Sequence, residues 1–297
     1  MFPQISAAVV VAGAVYAIGI ERHWWAIRRF TVPCLPPGIE PVRILHVSDI
    51  HFRGGQGLKR RFLASLAAER PDLIVATGDL LGDPVSVDAI VSALDPIPAS
   101  IGKLVVLGSN DYYSPTLKNP LRYFWTRAPG SEPSAYKHGG ANPWRDLVAG
   151  LVARDWTYLS NETTTLPLRT SAGGSVLIDV VGLDDAHIGR AKREAATARS
   201  DAGFRLAVAH SPDSIRDLVA KDYDLILAGH THGGQVRLPF YGALVTNCDI
   251  PRAWARGLHR AQRSWIHVSA GLGTSMYAPF RFSCRPEVSV LTLVARS

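Results

Sequence analysis

"RILHVSDIH" runs from Arg43 to His51. An apolar run of the kind that forms a buried strand stops at Val47, and a hydroxyl, a carboxylate and an imidazole follow within four residues. One Ser or Asp after a strand is ordinarily a turn residue, because these side chains bond their own backbone. Here the figure recurs, and the recurrence decides the fold. "DLIVATGD" (Asp72 to Asp79) ends on Asp79, and "KLVVLGSND" (Lys103 to Asp111) ends on Gly108-Ser109-Asn110-Asp111. "LAVAHSPD" (Leu206 to Asp213) carries His210, and "LILAGHTHGGQ" (Leu225 to Gln235) carries His230 and His232. Five strand ends that each acquire a carboxylate, amide or imidazole are not explained by turn chemistry alone. The glycines beside them (Gly78, Gly108, Gly229, Gly233, Gly234) allow tight bends and let side chains converge.

Working outward, "GLKRRFLASLAAER" (Gly57 to Arg70) and Val85 to Leu94 place apolar residues at helical spacing between the first strands. The resulting β-α-β-α-β order implies parallel strands with right-handed crossovers, and such sheets bind at the carboxyl ends of their strands. Further strands are expected at Thr164–Leu168, Ser175–Val181, Phe204–Ala209, Leu225–Ala228, Trp265–Val268 and Val288–Val294, with short helices at Gly189–Ala198 and Pro212–Val219. The expected fold class is α/β, with two sheets and helices outside. Between Tyr112 and Trp144 the rhythm breaks, and Tyr112, Tyr113, Tyr123, Phe124, Trp125, Tyr136 and Trp144 alternate with Lys118, Arg122, Arg127 and Lys137. That stretch reads as a cap-like insertion at about 112–147.

With 47% hydrophobic and 19% charged residues among 297, the chain is globular rather than disordered. A net charge of +7 suits phosphate, nucleic acid or an anionic membrane and selects none of them. Cys34, Cys248 and Cys284 are odd in number and far apart, so no disulfide framework is implied, and they lack the close pairing of a zinc ribbon.

"ISAAVVVAGAVYAIGI" (Ile5 to Ile20) is sixteen residues without a charge. As a helix it spans about 24 Å, against about 30 Å of hydrocarbon, and Trp24-Trp25 suit an interface. No basic residue opens it, as a signal peptide would require. The expectation is a membrane anchor over 1–30, a four-proline linker over 31–42 and a catalytic domain over 43–297. Arg22, Arg28 and Arg29 follow the run, so the positive-inside tendency places that domain in the cytoplasm.

The strand-end residues suggest a two-metal site. Asp, His and Asn donors suit Mn, Fe or Zn better than calcium or a soft metal. A pair of ions about 3.5–4 Å apart needs a bridging carboxylate, and a hydroxide held between them can attack phosphorus. No side-chain nucleophile is then required, and no organic cofactor is expected. His23, His46, His138, His187, His259 and His267 are expected to be packed or surface residues, and Asp184-Asp185 a turn.

Asp49-Ile50-His51, Gly78-Asp79, Gly108-Ser109-Asn110-Asp111, His210 and Gly229-His230-Thr231-His232 stand in the order of the blocks D-x-H, G-D, G-N-H-D/E, lone H and G-H-x-H. In this the chain resembles the calcineurin-like metallophosphoesterases over about Arg43 to Ala295. "GLGTS" (Gly271 to Ser275) and "CRPEV" (Cys284 to Val288) bring it nearest their bacterial membrane-associated branch. The resemblance implies a four-layer αββα sandwich. It also implies that Asp49, His51 and His232 bind one metal, that Asp79 bridges, and that His210 and His230 bind the second with an amide from the third block.

That third block departs from the pattern. Aligned from Gly108, Ser109 takes the ligand position and Asn110 that of the histidine expected to contact the phosphate. Shifted by one residue, Asn110 is the ligand and Asp111 stands near the place of the missing histidine. The shifted register is preferred because it keeps an amide ligand, which makes Asn110 and Asp111 the catalytic candidates. Losing a general acid, about 10²–10⁴-fold, is tolerable when the leaving group is good, as in a phosphoanhydride.

The expected function is a membrane-anchored, metal-dependent phosphoesterase cleaving a phosphodiester or pyrophosphate bond, with a phosphorylated lipid or lipid-linked nucleotide as substrate. Nucleic acid is disfavoured by the expected anchor. The alternative is a metal-binding scaffold or partner-binding protein that has lost catalysis.

Overall fold

Alternate side chains along each central strand enter different cores, and this alternation builds the molecule. In the computed structural model, residue 9 and residues 11–116, 139–199 and 203–296 are described. The strands are β1 (Ala26–Leu35), β2 (Val42–Val47), β3 (Leu73–Thr77), β4 (Gly102–Val106), β5 (Trp156–Tyr158), β6 (Glu162–Arg169) and β7 (Ser175–Leu183). They continue as β8 (Arg205–Ala209), β9 (Leu225–Ala228), β10 (Arg237–Leu238), β11 (Gly242–Ala243), β12 (Gly257–Ala261), β13 (Ser264–Val268) and β14 (Glu287–Ala295). One six-stranded sheet has the order β1-β14-β2-β3-β4-β5, the other β12-β13-β9-β8-β7-β6, and β10-β11 is a separate hairpin.

Ile44, Leu73, Val75, Leu104 and Val106 of the first sheet share one apolar cluster with Val180, Leu206, Val208, Leu225 and Leu227 of the second. Their neighbours Leu45, Ile74 and Val105 face outward, onto Leu63 and Leu66, onto Ile90 and Leu94, and onto Leu147 and Leu151. Those partners lie on the helices Gly57–Ser65 and Val87–Leu94, on the turn Leu66–Glu69 and on the helix Trp144–Val152. On the other side Ala207, Ile226 and Val268 pack on Ile215 and Leu218 of the helix Ile215–Ala220. Strands buried on both faces read as continuous apolar runs, which explains why the sequence pattern is so clear there. Each such side chain contributes about 1.5–3 kcal/mol on burial.

Strands β2, β3, β4 and β5 are mutually parallel, as are β7, β8, β9 and β13. Strand β14 returns antiparallel to β2, and β6 antiparallel to β7.

The N-terminal expectation is overturned. Among the described residues no helix is long and apolar enough to cross a membrane. A π-helical turn covers Tyr16–Ile20 and a 3₁₀ turn Glu21–His23, after which the chain enters β1. The segment is pinned to the body. Glu21 is buried and accepts the amides of Ser283 (2.9 Å) and Cys284 (2.6 Å), and Ala17 O accepts that of Arg281 (3.1 Å). The single-pass anchor and the cytoplasmic placement derived from it therefore fall together. The charge-free run was already shorter than a hydrocarbon core, and the carboxylate that ends it is used by the protein itself.

The linker assigned to 31–42 also needs correction, since its first half is β1, paired in parallel with β14. Val32, Cys34 and Leu35 enter the core between the sheets, and β1 is an edge strand, where a proline such as Pro33 is tolerated. The helix expected over Gly189–Ala198 is reduced to a 3₁₀ turn, Arg193–Ala195, of which no residue is buried. Of the cap-like insertion, 117–138 lie outside the described residues, and so does His138.

Candidate metal centre

Asp49, His51, Asp79, His230 and His232 follow their strands with positive φ, at 47°, 43°, 52°, 67° and 50°. Non-glycine residues rarely adopt this left-handed region, and each instance costs about 1–3 kcal/mol unless the surroundings over-determine it. Here the turns lace one another. Asp49 N donates to Gly78 O and His51 N to Asp79 O (2.9 Å each), and Gly229 N donates to His210 O (2.9 Å). The sharp backbone turn folds each side chain back over the strand ends toward a common centre.

Asp49, His51, Asp79 and His232 offer ligand atoms that all lie within 4.8 Å of one another. His51 Nε2 is 3.1 Å from His232 Nε2 and 3.6 Å from Asp79 Oδ2. Asp49 Oδ2 is held by the Ser48 hydroxyl (2.5 Å) and the His230 amide (3.0 Å). Its Oδ1, 3.5 Å from His232 Nε2, is buried without a hydrogen-bond partner among the described residues. The other oxygen of Asp79 turns the opposite way, with Oδ1 3.6 Å from His210 Nε2, which is in turn 3.3 Å from His230 Nδ1. His210 Nδ1 donates to Thr77 O at 2.6 Å, which orients the ring so that Nε2 faces Asp79.

Burial pushes His51 down to about 4 and His232 to about 3, so both rings are neutral and present lone pairs. For Asp79 burial works upward, but His210, His51 and hydrogen bonds from Asn110 outweigh it and hold the carboxyl below the usual range. Burial opposes the charge on His210, yet Asp79, Asp185 and Asp49 raise it to about 10. His210 thus carries positive charge beside Asp79, in a place where a cation would be equally favoured. The orphaned Asp49 oxygen, two neutral imidazole nitrogens 3.1 Å apart and a His230 Nε2 without a hydrogen-bond partner among the described residues all fit divalent metal ions. A metal at His210 must displace its proton. Loading near neutral pH is therefore expected to release about one proton there, with affinity rising up to pH about 10. Calorimetry in buffers of different ionisation enthalpy checks this, and buffer-independent heats would contradict it.

The third block separates its two candidates. Asn110 donates its backbone N–H to Asp79 Oδ1 (2.8 Å), and its side-chain amide lies 2.5 Å from Asp79 Oδ2. Asp111, in contrast, is fully buried and points into the turn. Its Oδ1 accepts from Leu80 N (2.8 Å) and Leu81 N (2.9 Å), and its Oδ2 from Gly108 N (3.0 Å). Asp111 anchors the backbone under the site rather than facing it, which corrects its assignment as a catalytic candidate. Gly108 is required for close approach, since a Cβ there would overlap the Asp79 carboxylate and lie 2.6 Å from the His210 ring.

Two groups at the centre were not expected there: Arg281, which the sequence did not single out, and His187. Arg281, fully buried, spans the loops behind His232. Its guanidinium donates to the carbonyls of Ala270 (2.7 Å), Gly271 (3.1 Å), Gly273 (2.6 Å) and His232 (3.1 Å). A lone arginine in "PFRFSC" (Pro279 to Cys284) carries no pattern that would single it out. The other is His187, expected to be a packed or surface residue; it is buried, and its ring centroid is 4.4 Å from that of His230. It follows the end of β7, and the strand-end rule applied to "VVGLDDAH" (Val180 to His187) would have found it. His46 and His267 are buried, as expected of packed residues, and meet at 2.8 Å through their Nδ1 atoms.

Residues 42–234 match the family described as calcineurin-like phosphoesterase. The chain is 29% identical over 305 residues to an uncharacterised metallophosphoesterase of Bacillus subtilis, YkuE, covering 99% of this chain and 94% of that one. It is 28% identical over 300 residues to the Escherichia coli phosphodiesterase YaeI, covering 99% and 98%. With the UDP-2,3-diacylglucosamine pyrophosphatase LpxG of Chlamydia muridarum it shares 26% identity over 287 residues, covering 84% and 83%.

Proposed function

Because the chain belongs to the calcineurin-like phosphoesterase family and is a metal-dependent hydrolase, we infer that it cleaves a phosphodiester or pyrophosphate bond in a lipid-linked substrate. The observation that carries the chemistry is the split carboxylate of Asp79, whose two oxygens face His51 and His210 at 3.6 Å each. Asp49, His51, Asp79 and His232 would hold one divalent ion, and Asp79, Asn110, His210 and His230 the other. Bound there, the ions supply a water acidified enough to attack near neutral pH and neutralise the phosphoryl oxygens. The chain's residues do the rest. Ser48 and the His230 amide fix Asp49, Thr77 O fixes the His210 ring, and Asn110 holds Asp79 in place. The three apolar clusters support reading the fold as a four-layer αββα sandwich. The LpxG likeness supports a nucleotide-linked lipid as substrate, with a leaving group that needs little protonation.

The test is hydrolysis of bis(p-nitrophenyl) phosphate, p-nitrophenyl phosphate and UDP-2,3-diacylglucosamine with Mn, Fe or Zn. Turnover of the diester and the lipid is expected, and turnover of neither with any metal would leave the scaffold reading. Asn110→Ala should weaken metal binding more than Ser109→Ala, because Asn110 is the side chain placed against Asp79. The reverse order would restore the unshifted register.

A further inference from the structure

The Ser109-Asn110 turn brings no imidazole to the substrate, and the four histidines around Asp79 face one another or a carboxylate. A fifth imidazole, that of His187, lies against His230 with the rings inclined at 46°. It reaches this place on the loop after β7, the sixth strand end to join the cluster.

That loop is built with care. Asp185 Oδ1 accepts the His187 amide (2.8 Å). The buried Asp184 carboxylate accepts from the Tyr112 hydroxyl (2.9 Å), the Ser160 hydroxyl (2.9 Å), Arg190 Nε (3.0 Å) and its neighbour's amide, Asp185 N (2.7 Å). Asn161 Oδ1 accepts Asp184 N (3.2 Å) and Lys192 N (2.7 Å). Tyr112 closes the Ser109–Tyr112 turn, so the loop that carries His187 is tied directly to the third block. Seven donors converging on two carboxylates and one amide fix the backbone that carries the ring before any ligand arrives, the arrangement expected of a group that must meet a substrate oxygen in fixed geometry. A loop that only turned the chain would not need it.

We propose that His187 is a substrate-contacting residue, donating a ring N–H to an oxygen of the phosphoryl group on the His230 side of the centre. This rests on the phosphoesterase reading of the site. The residue takes the position of a hydrogen-bond donor and is not a metal ligand, so removing it leaves the ions in place and weakens the anion's hold.

The experiment compares wild type, His187→Ala and His187→Asn for metal content, calorimetric affinity for inorganic phosphate in the Mn-loaded protein, and kcat and KM on bis(p-nitrophenyl) phosphate. His187→Ala is expected to keep the wild-type metal content and lose about tenfold or more in phosphate affinity, the worth of a charge-assisted hydrogen bond. His187→Asn, which retains an N–H donor, is expected to recover most of it. A parallel loss of metal from both variants would show that His187 merely positions His230, and an unchanged phosphate affinity would equally overturn the proposal. Wild-type phosphate binding without turnover of any ester would sink the proposed function while leaving the His187 contact standing.

Discussion

Asp79→Asn is expected to lower kcat/KM on bis(p-nitrophenyl) phosphate by at least about 10³-fold, equivalent to about 4 kcal/mol of transition-state stabilisation. The size follows from position. One oxygen of Asp79 faces His51 and the other faces His210, so this side chain is common to both halves of the centre. Asparagine keeps the shape but supplies one oxygen and no charge, and its NH₂ would confront the Asn110 donors now satisfied by the carboxylate. Bound metal should fall as well, measurable by elemental analysis after gel filtration. A variant that kept its metal and its rate would end the two-metal reading, whatever the fate of the substrate assignment.

Arg281→Met is expected to destabilise the protein by about 3 kcal/mol or more, lowering Tm by roughly 6–12 °C. Methionine fills much of the same volume, so the loss isolates the guanidinium. Without it the carbonyl of Ala270 loses its donor, and those of Gly271, Gly273 and His232 keep Glu287 N (3.0 Å), His232 Nδ1 (3.3 Å) and Gln235 N (2.9 Å) beside them. The orphaned carbonyl costs about 1–3 kcal/mol, and the lost hydrogen bonds to a charged group add about 1.5–3 kcal/mol each before the loops relax. His232 sits in the strained φ of 50° that these contacts help to hold, so metal affinity should fall with stability. Differential scanning calorimetry with and without Mn reads both effects. A Tm within 1 °C of wild type would show that the loops hold themselves.

Residues buried on both faces of parallel strands left a signal that needed no structure. Ile44 to Val47, Leu73 to Thr77 and Leu225 to Ala228 read as strands because every position is apolar or small, apart from His46. The polar residues after them read as a site because they broke that pattern abruptly and repeatedly. Short edge elements were less legible. β5 has three residues, and β12 has none that is buried, so neither produces an apolar run. At the N-terminus local hydrophobicity misled, because Ile5 to Ile20 has the composition of a membrane span. What that composition could not convey is that Glu21 would be buried against Ser283 and Cys284, some 260 residues away in sequence.

The sequence by itself determined which chemistry is present: carboxylates, imidazoles and an amide at strand ends, where a parallel sheet must gather them. It could do so because strand periodicity and strand termination are local properties. Only the tertiary structure decided how the third block divides its work. Asn110 turns to Asp79 while Asp111, its neighbour, turns to the amides of Gly108, Leu80 and Leu81. The direction of a side chain after a strand depends on the φ of its own residue and on the donors that distant loops bring to it. Neither quantity is written in the spacing of residues along the chain. The same is true of His187, whose ring meets that of His230, and of Arg281, which reaches His232: their roles exist only once the loops have met.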